Sequence, residues 1–107
     1  MKPRAKSESG TATVVERRTH LKRPPRYRVL LHDDDFTTME FVVEVLEQLF
    51  SQPHGAALQI MMDVHLKGVG LAGIYPHEVA EAKAAEVIRR ARAQDFPFLA
   101  TIEAQED

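Results

Sequence analysis

Between Arg26 and Tyr27 the chain changes character, and that boundary limits how much of it can fold. Residues 1–26 hold eight Lys or Arg against two acids, Glu8 and Glu16, a balance of +6; residues 27–107 hold six bases against fourteen acids, a balance of -8. The first segment is rich in Ser, Thr and Pro, is poor in large apolar side chains, and ends in Arg23-Pro24-Pro25-Arg26. So little apolar surface cannot offset the entropy lost on ordering a chain. Residues 1–25 are therefore expected to form a disordered basic extension, and residues 26–107 the folded domain. With 107 residues of which 44% are hydrophobic, the chain has material for one core and not two.

Cysteine is absent. Disulfides, thiolate zinc sites, Fe–S clusters and cysteine nucleophiles drop out, and the domain must hold by packing alone. No run approaches the ~20 apolar residues of a membrane span, and the start MKPRAKSESG has no apolar stretch to act as a signal peptide. A cytoplasmic protein with no membrane partner is expected. The acidic body would repel a phosphate backbone, which argues against nucleic acid despite the basic extension.

From Tyr27 onward the pattern becomes regular. Tyr27, Val29 and Leu31 alternate as in a strand with one buried face, and His32-Asp33-Asp34-Asp35 ends it in a turn. Thr37-Thr38-Met39-Glu40 has capping-box spacing, and Val42, Val45, Leu46 and Leu49 then make a helical stripe. Ser51 to Gly55 breaks that helix. Ala57, Ile60, Met61 and Val64 form a second stripe stopped by Gly68. Val69 to Tyr75 reads as a strand or loop, Pro76 opens a third helix running to about Gln94, and Phe98 to Glu103 closes as a strand. In the third helix Ala80, Ala84, Val87, Ile88 and Ala91 are expected to face inward. Helices packed on one face of a small sheet bury both apolar surfaces, so the order β-α-α-β-α-β implies a compact α+β sandwich.

Three groups could carry chemistry. The Asp33-Asp34-Asp35 turn is either simply solvated or a seat for a visiting cation, because three adjacent carboxylates repel one another. Calcium-loop spacing is absent. His65 lies one turn after Met61 on an apolar face, as a half-buried histidine or as a ligand, but His32, Asp63 and His65 lack zinc spacing. Met39, Met61 and Met62 suit either a core or an adaptable pocket. With no Ser after Ser51 and no Gly-rich phosphate loop, neither an enzyme nor a cofactor is expected.

Taken in order, YRVLLHDDDFTTMEFVVEVL, IMMDVHLKGVG, HEVAEAKAAEVIRRAR and FPFLATIE closely resemble the ClpS family, bacterial adaptors that deliver N-degron substrates to a Clp unfoldase-protease. The match spans residues 26–104. It implies three helices on a three-stranded antiparallel sheet, similar to the C-terminal domain of the ribosomal stalk protein, and a monomer that binds proteins beginning with Leu, Phe, Tyr or Trp. On the family pattern Asp33, Asp34, Asp35 and His65 hold the α-ammonium, while Leu31, Thr37, Met39, Val42, Met61, Val64 and Phe98 line or rim the side-chain pocket. Met39 matches a gatekeeper against β-branched first residues.

Two positions depart from that pattern. Asp33 stands where the family usually has Asn, and Phe98 where many members have Leu; the bulkier Phe98 is expected to narrow the pocket and disfavour Trp. Glu78 and Lys83 match positions that contact the N-terminal domain of the AAA+ unfoldase, with Glu81 beside them, and the basic extension matches a segment that promotes transfer. A divergent paralogue that docks on the unfoldase to inhibit or redirect it stays open as the alternative.

Overall fold

The computed structural model describes residues 23–106. The extension expected over residues 1–25 therefore lies almost wholly outside the described residues. Six elements follow one another: β1 (Arg26–His32), α1 (Met39–Phe50), α2 (His54–Lys67), β2 (Val69–Pro76), α3 (His77–Ala93) and β3 (Leu99–Ala104). The strands form one antiparallel sheet in the order β2-β1-β3, with Val29 opposite Gly73 on one side and Ile102 on the other. A bulge between Val29 and Leu30 accommodates Ala72 on β2. This is the expected α+β sandwich, and it resolves Val69–Pro76 as a strand.

Side-chain alternation on β1 decides which face the helices cover. Val29 and Leu31 are wholly buried, whereas Arg28, Leu30 and His32 on the opposite face stay partly exposed. Over the buried face lie Val42, Val45 and Leu46 of α1, Met61 and Val64 of α2, and Ala80, Ala84, Val87 and Ala91 of α3. The stripe on α3 is mostly alanine, so this helix can lie close to the sheet. Phe41 fills the end of the core, edge-to-face with Phe96 at 5.2 Å and with Phe98 at 6.0 Å between ring centroids. Leu49 and Ile88, at the margins of their stripes, are only partly buried, and Phe41 and Phe50 take deep positions that the stripe did not include.

Two helix starts differ from the sequence pattern. Thr38, not Thr37, caps α1, its Oγ accepting from the Phe41 N–H at 3.1 Å. The Thr37 hydroxyl is instead turned back toward the preceding turn, donating to Asp34 Oδ2 at 2.7 Å. Glu40 thus falls in the first turn, where it favours the helix dipole without closing a box. Pro76 ends β2 and is the cap of α3, so the first helical residue is His77.

Two short connections position everything around the first turn. Between β1 and α1, Asp34 accepts from the Phe36 N–H at 2.8 Å and the Thr37 N–H at 2.7 Å through one oxygen and from the Thr37 hydroxyl through the other. Partial burial works toward the neutral acid, but these bonds to Thr37 and Phe36, with the charge of Arg92, outweigh it and hold the Asp34 carboxyl below its ordinary range. Between α2 and β2, Gly68 closes the helix at φ 87°, in the left-handed region, and its carbonyl accepts from the Asp33 N–H at 3.0 Å. Gly70 then lets β2 pass close to α2: a Cβ there would lie 2.7 Å from Val64 Cγ2 and 3.2 Å from the Ile60 carbonyl oxygen.

Gly70→Ala should push α2 off the sheet and cost about 1–3 kcal/mol in urea unfolding; an unchanged midpoint would show that the contact relaxes freely. Asp34→Asn tests the turn through pH. Since folding lowers the carboxyl's pKa, its contribution is complete above the unfolded value and is lost as pH falls through the folded one. The stability gap between wild type and Asp34→Asn should therefore be largest near neutrality and shrink in acid below the carboxyl range. A gap independent of pH would remove the charge from the explanation.

Candidate functional site

Where these two connections meet, the surface opens into a cavity of about 240 Å³. The β1–α1 turn supplies Asp33, Asp34, Asp35 and Thr37; α1 supplies Met39 and Val42; α2 supplies Met61, Val64 and His65. Helical spacing explains the last two sets, because residues three and four apart share a face. Met61, Val64 and His65 thus project together, and Gly68 places the end of their helix against Asp33.

The cavity has two chemical halves. Its floor is apolar and sealed by Val42, Met61 and Val64, all buried, while Met39 stands at the rim with 41% of its surface exposed. Its other side is acidic. Asp34 spends three acceptor positions on the turn, leaving roughly one for a ligand on a carboxylate with about four lone-pair sites. Asp33 and Asp35 are exposed, and among the described residues their carboxylates receive no hydrogen bond. His65 is exposed in the last turn of α2, where the helix presents partial negative charge. Among the described residues no three His, Asp or Glu side chains converge as metal ligands. The arrangement suits a ligand carrying a cation and a large apolar group on adjacent atoms.

All nine residues around the cavity had been singled out in the sequence, but two further expectations need correction. Leu31 and Phe98 do not line it. Leu31 points from the centre of the sheet into the core, and Phe98, 1% exposed, packs its ring against Phe41. The bulk of Phe98 is therefore taken up within the core. α3 contributes no residue to the lining of the cavity. Glu78 and Glu81 are exposed there, but Lys83 donates to the Leu49 carbonyl at 2.6 Å and sits 5.7 Å and 5.1 Å from the Phe50 and Tyr75 ring centroids. Its ammonium braces the end of α1.

One contributor lies outside the site residues expected from the sequence. Arg92, near the end of α3, donates to the Phe96 and Phe98 carbonyls at 2.7 Å and 3.0 Å, and its charge also acts on Asp34. The signal was available as a basic residue in a last helical turn, where carbonyls need donors.

The family model for the ATP-dependent Clp protease adaptor protein ClpS matches residues 22–101. A ClpS adapter from Roseobacter denitrificans is 44% identical over 106 residues, covering 99% of this chain and 94% of its own. Another, from Oleidesulfovibrio alaskensis, is 52% identical over 83 residues, 78% of this chain and 80% of its own. Among solved structures, ClpS2 of Agrobacterium tumefaciens bound to L-phenylalaninamide matches with a TM-score of 0.75 and 32% identity, covering 78% of this chain and all of that one. Fold, motif order and these likenesses agree: the chain belongs to the ClpS family of Clp protease adaptors.

Proposed function

We propose that this adaptor captures proteins whose free N-terminal residue is Leu, Phe, Tyr or Trp and hands them to the AAA+ unfoldase of the Clp protease. The observation that carries this reading is the shared cavity, in which an acidic rim and a sealed apolar floor face the same 240 Å³. The ligand of the Agrobacterium relative, L-phenylalaninamide, has the matching chemistry: an unblocked α-amine two carbons from an apolar ring. An α-ammonium offers three donors. Asp33, Asp35 and the remaining lone pair of Asp34 accept with charge, and a neutral His65 ring accepts through its unprotonated nitrogen. The side chain then descends between Val42, Met61 and Val64, and Met39 closes over the rim, where a side chain branched at Cβ would meet it first.

Magnitudes support this division. Burial of a Leu or Phe side chain contributes about 1.5–3 kcal/mol and each hydrogen bond to a charged group about 1.5–3 kcal/mol. After the cost of association, a micromolar or tighter complex results. Capture needs no bond making, and the unfolding work falls to the partner's ATP hydrolysis.

Fluorescence anisotropy with a Leu-initiated peptide and its N-acetylated form tests the amine. The free amine should bind and the blocked one should not, and His65→Ala should weaken the free peptide roughly 10- to 150-fold. Equal binding of both forms would overturn the reading, while binding of neither by a chain that still docks on the unfoldase would favour the regulatory paralogue. The exposed acids of α3 supply the proposed docking face: Glu78→Arg with Glu81→Arg should weaken binding to the unfoldase N-terminal domain by about tenfold or more, with peptide affinity unchanged. Lys83→Met should instead lower the urea midpoint, because its ammonium is engaged within the domain.

A further inference from the structure

Beside the pocket, a second cavity of about 400 Å³ runs between α1 and α2. Its apolar walls are Met39, Val43, Leu58 and Met61, with Leu58 40% exposed. Glu40, Glu44 and Glu47 line the α1 side. Spaced by four and three residues, these acids form one stripe along the helix, and like charges at that spacing repel. Among the described residues none of the three has a Lys or Arg within ion-pair distance: Glu47 meets only His54, and Glu44 only the amide of Gln48. An apolar groove edged by acids that no described Lys or Arg pairs fits a segment that carries both apolar and basic side chains.

We propose that residues 14–22 of this same chain, Val-Val-Glu-Arg-Arg-Thr-His-Leu-Lys, dock in that groove. The segment carries Val14, Val15 and Leu21 for the apolar walls, and Arg17, Arg18 and Lys22 against the single acid Glu16. Its point of attachment is well placed. Phe50, at the end of α1, packs against Tyr75 at 6.2 Å between centroids, and Tyr75 pairs with Tyr27 at the start of β1. The chain thus enters the sheet at the end of the domain where the groove opens past Glu47 and His54. Nine extended residues reach about 30 Å, against about 18 Å for the length of the 12-residue α1. Met39 and Met61 wall both cavities, so a docked segment lies against the substrate pocket itself.

The lack of native cysteine makes the test direct. In the full chain carrying Thr19→Cys with a nitroxide label, the amide signals of Val43, Glu44 and Leu58 should lose more than half their intensity in NMR spectra, independently of protein concentration. Glu44→Lys with Glu47→Lys should restore most of that intensity. Undisturbed groove signals would overturn the proposal, as would intensity loss that the double substitution leaves in place. Loss of signal only when labelled and isotope-enriched chains are mixed would assign the groove to a second copy. Shifts at Val43 and Leu58 caused by a long Leu-initiated peptide, with no effect of the label, would assign it to the substrate beyond its first residue. Either result rejects docking in cis.

Discussion

A single backbone hydrogen bond, from the Asp33 N–H to the Gly68 carbonyl, joins the two halves of the pocket. On one side stands the acidic turn leaving β1; on the other, the end of the helix that carries Met61, Val64 and His65. The bond can form only because Gly68 reverses the chain in a left-handed conformation and Gly70 lets β2 run against α2 without a side chain between them. Remove that close approach and the apolar floor moves away from the carboxylates. The binding proposed for this cavity requires both surfaces within a few ångströms, and this junction is what brings them together.

Within the turn, adjacent carboxylates have separate tasks. Asp34 holds the backbone in shape and is itself kept ionised by the donors it collects and by Arg92. Its neighbours Asp33 and Asp35 face solvent with their acceptors free among the described residues. Three like charges in sequence are tolerable because one is compensated internally and the other two are exposed to solvent. The same logic extends along α1, where Glu40, Glu44 and Glu47 keep the surface beside the pocket negative.

Much of this was legible because periodicity survives without coordinates. Alternation placed Val29 and Leu31 inward, and helical spacing brought Met61, Val64 and His65 to one face. What the pattern missed shares one cause: each detail depends on an orientation or a tertiary contact that local spacing does not fix. Thr37 and Thr38 both suit a cap; in the fold Thr38 accepts from the Phe41 N–H while the Thr37 hydroxyl turns back to Asp34. Leu31 and Phe98 are both buried in the core, and for Phe98 the deciding contact is the Phe41 ring, more than fifty residues away in the chain. Lys83 reads as a surface charge until the Leu49 carbonyl and two aromatic rings are found around it.

From its sequence alone, this protein is a single cysteine-free α+β domain with an acidic body behind a basic segment, its elements in order and its family legible in the motifs. Local rules suffice for those properties, since propensity, spacing and charge act between residues close along the chain. Tertiary structure alone decided which carboxylate braces the turn and which are free, where the pocket stops and the core begins, and that a second acidic groove shares Met39 and Met61 with the first. Each of these depends on groups far apart in sequence meeting at distances set by the packing of α1 and α2 on the sheet.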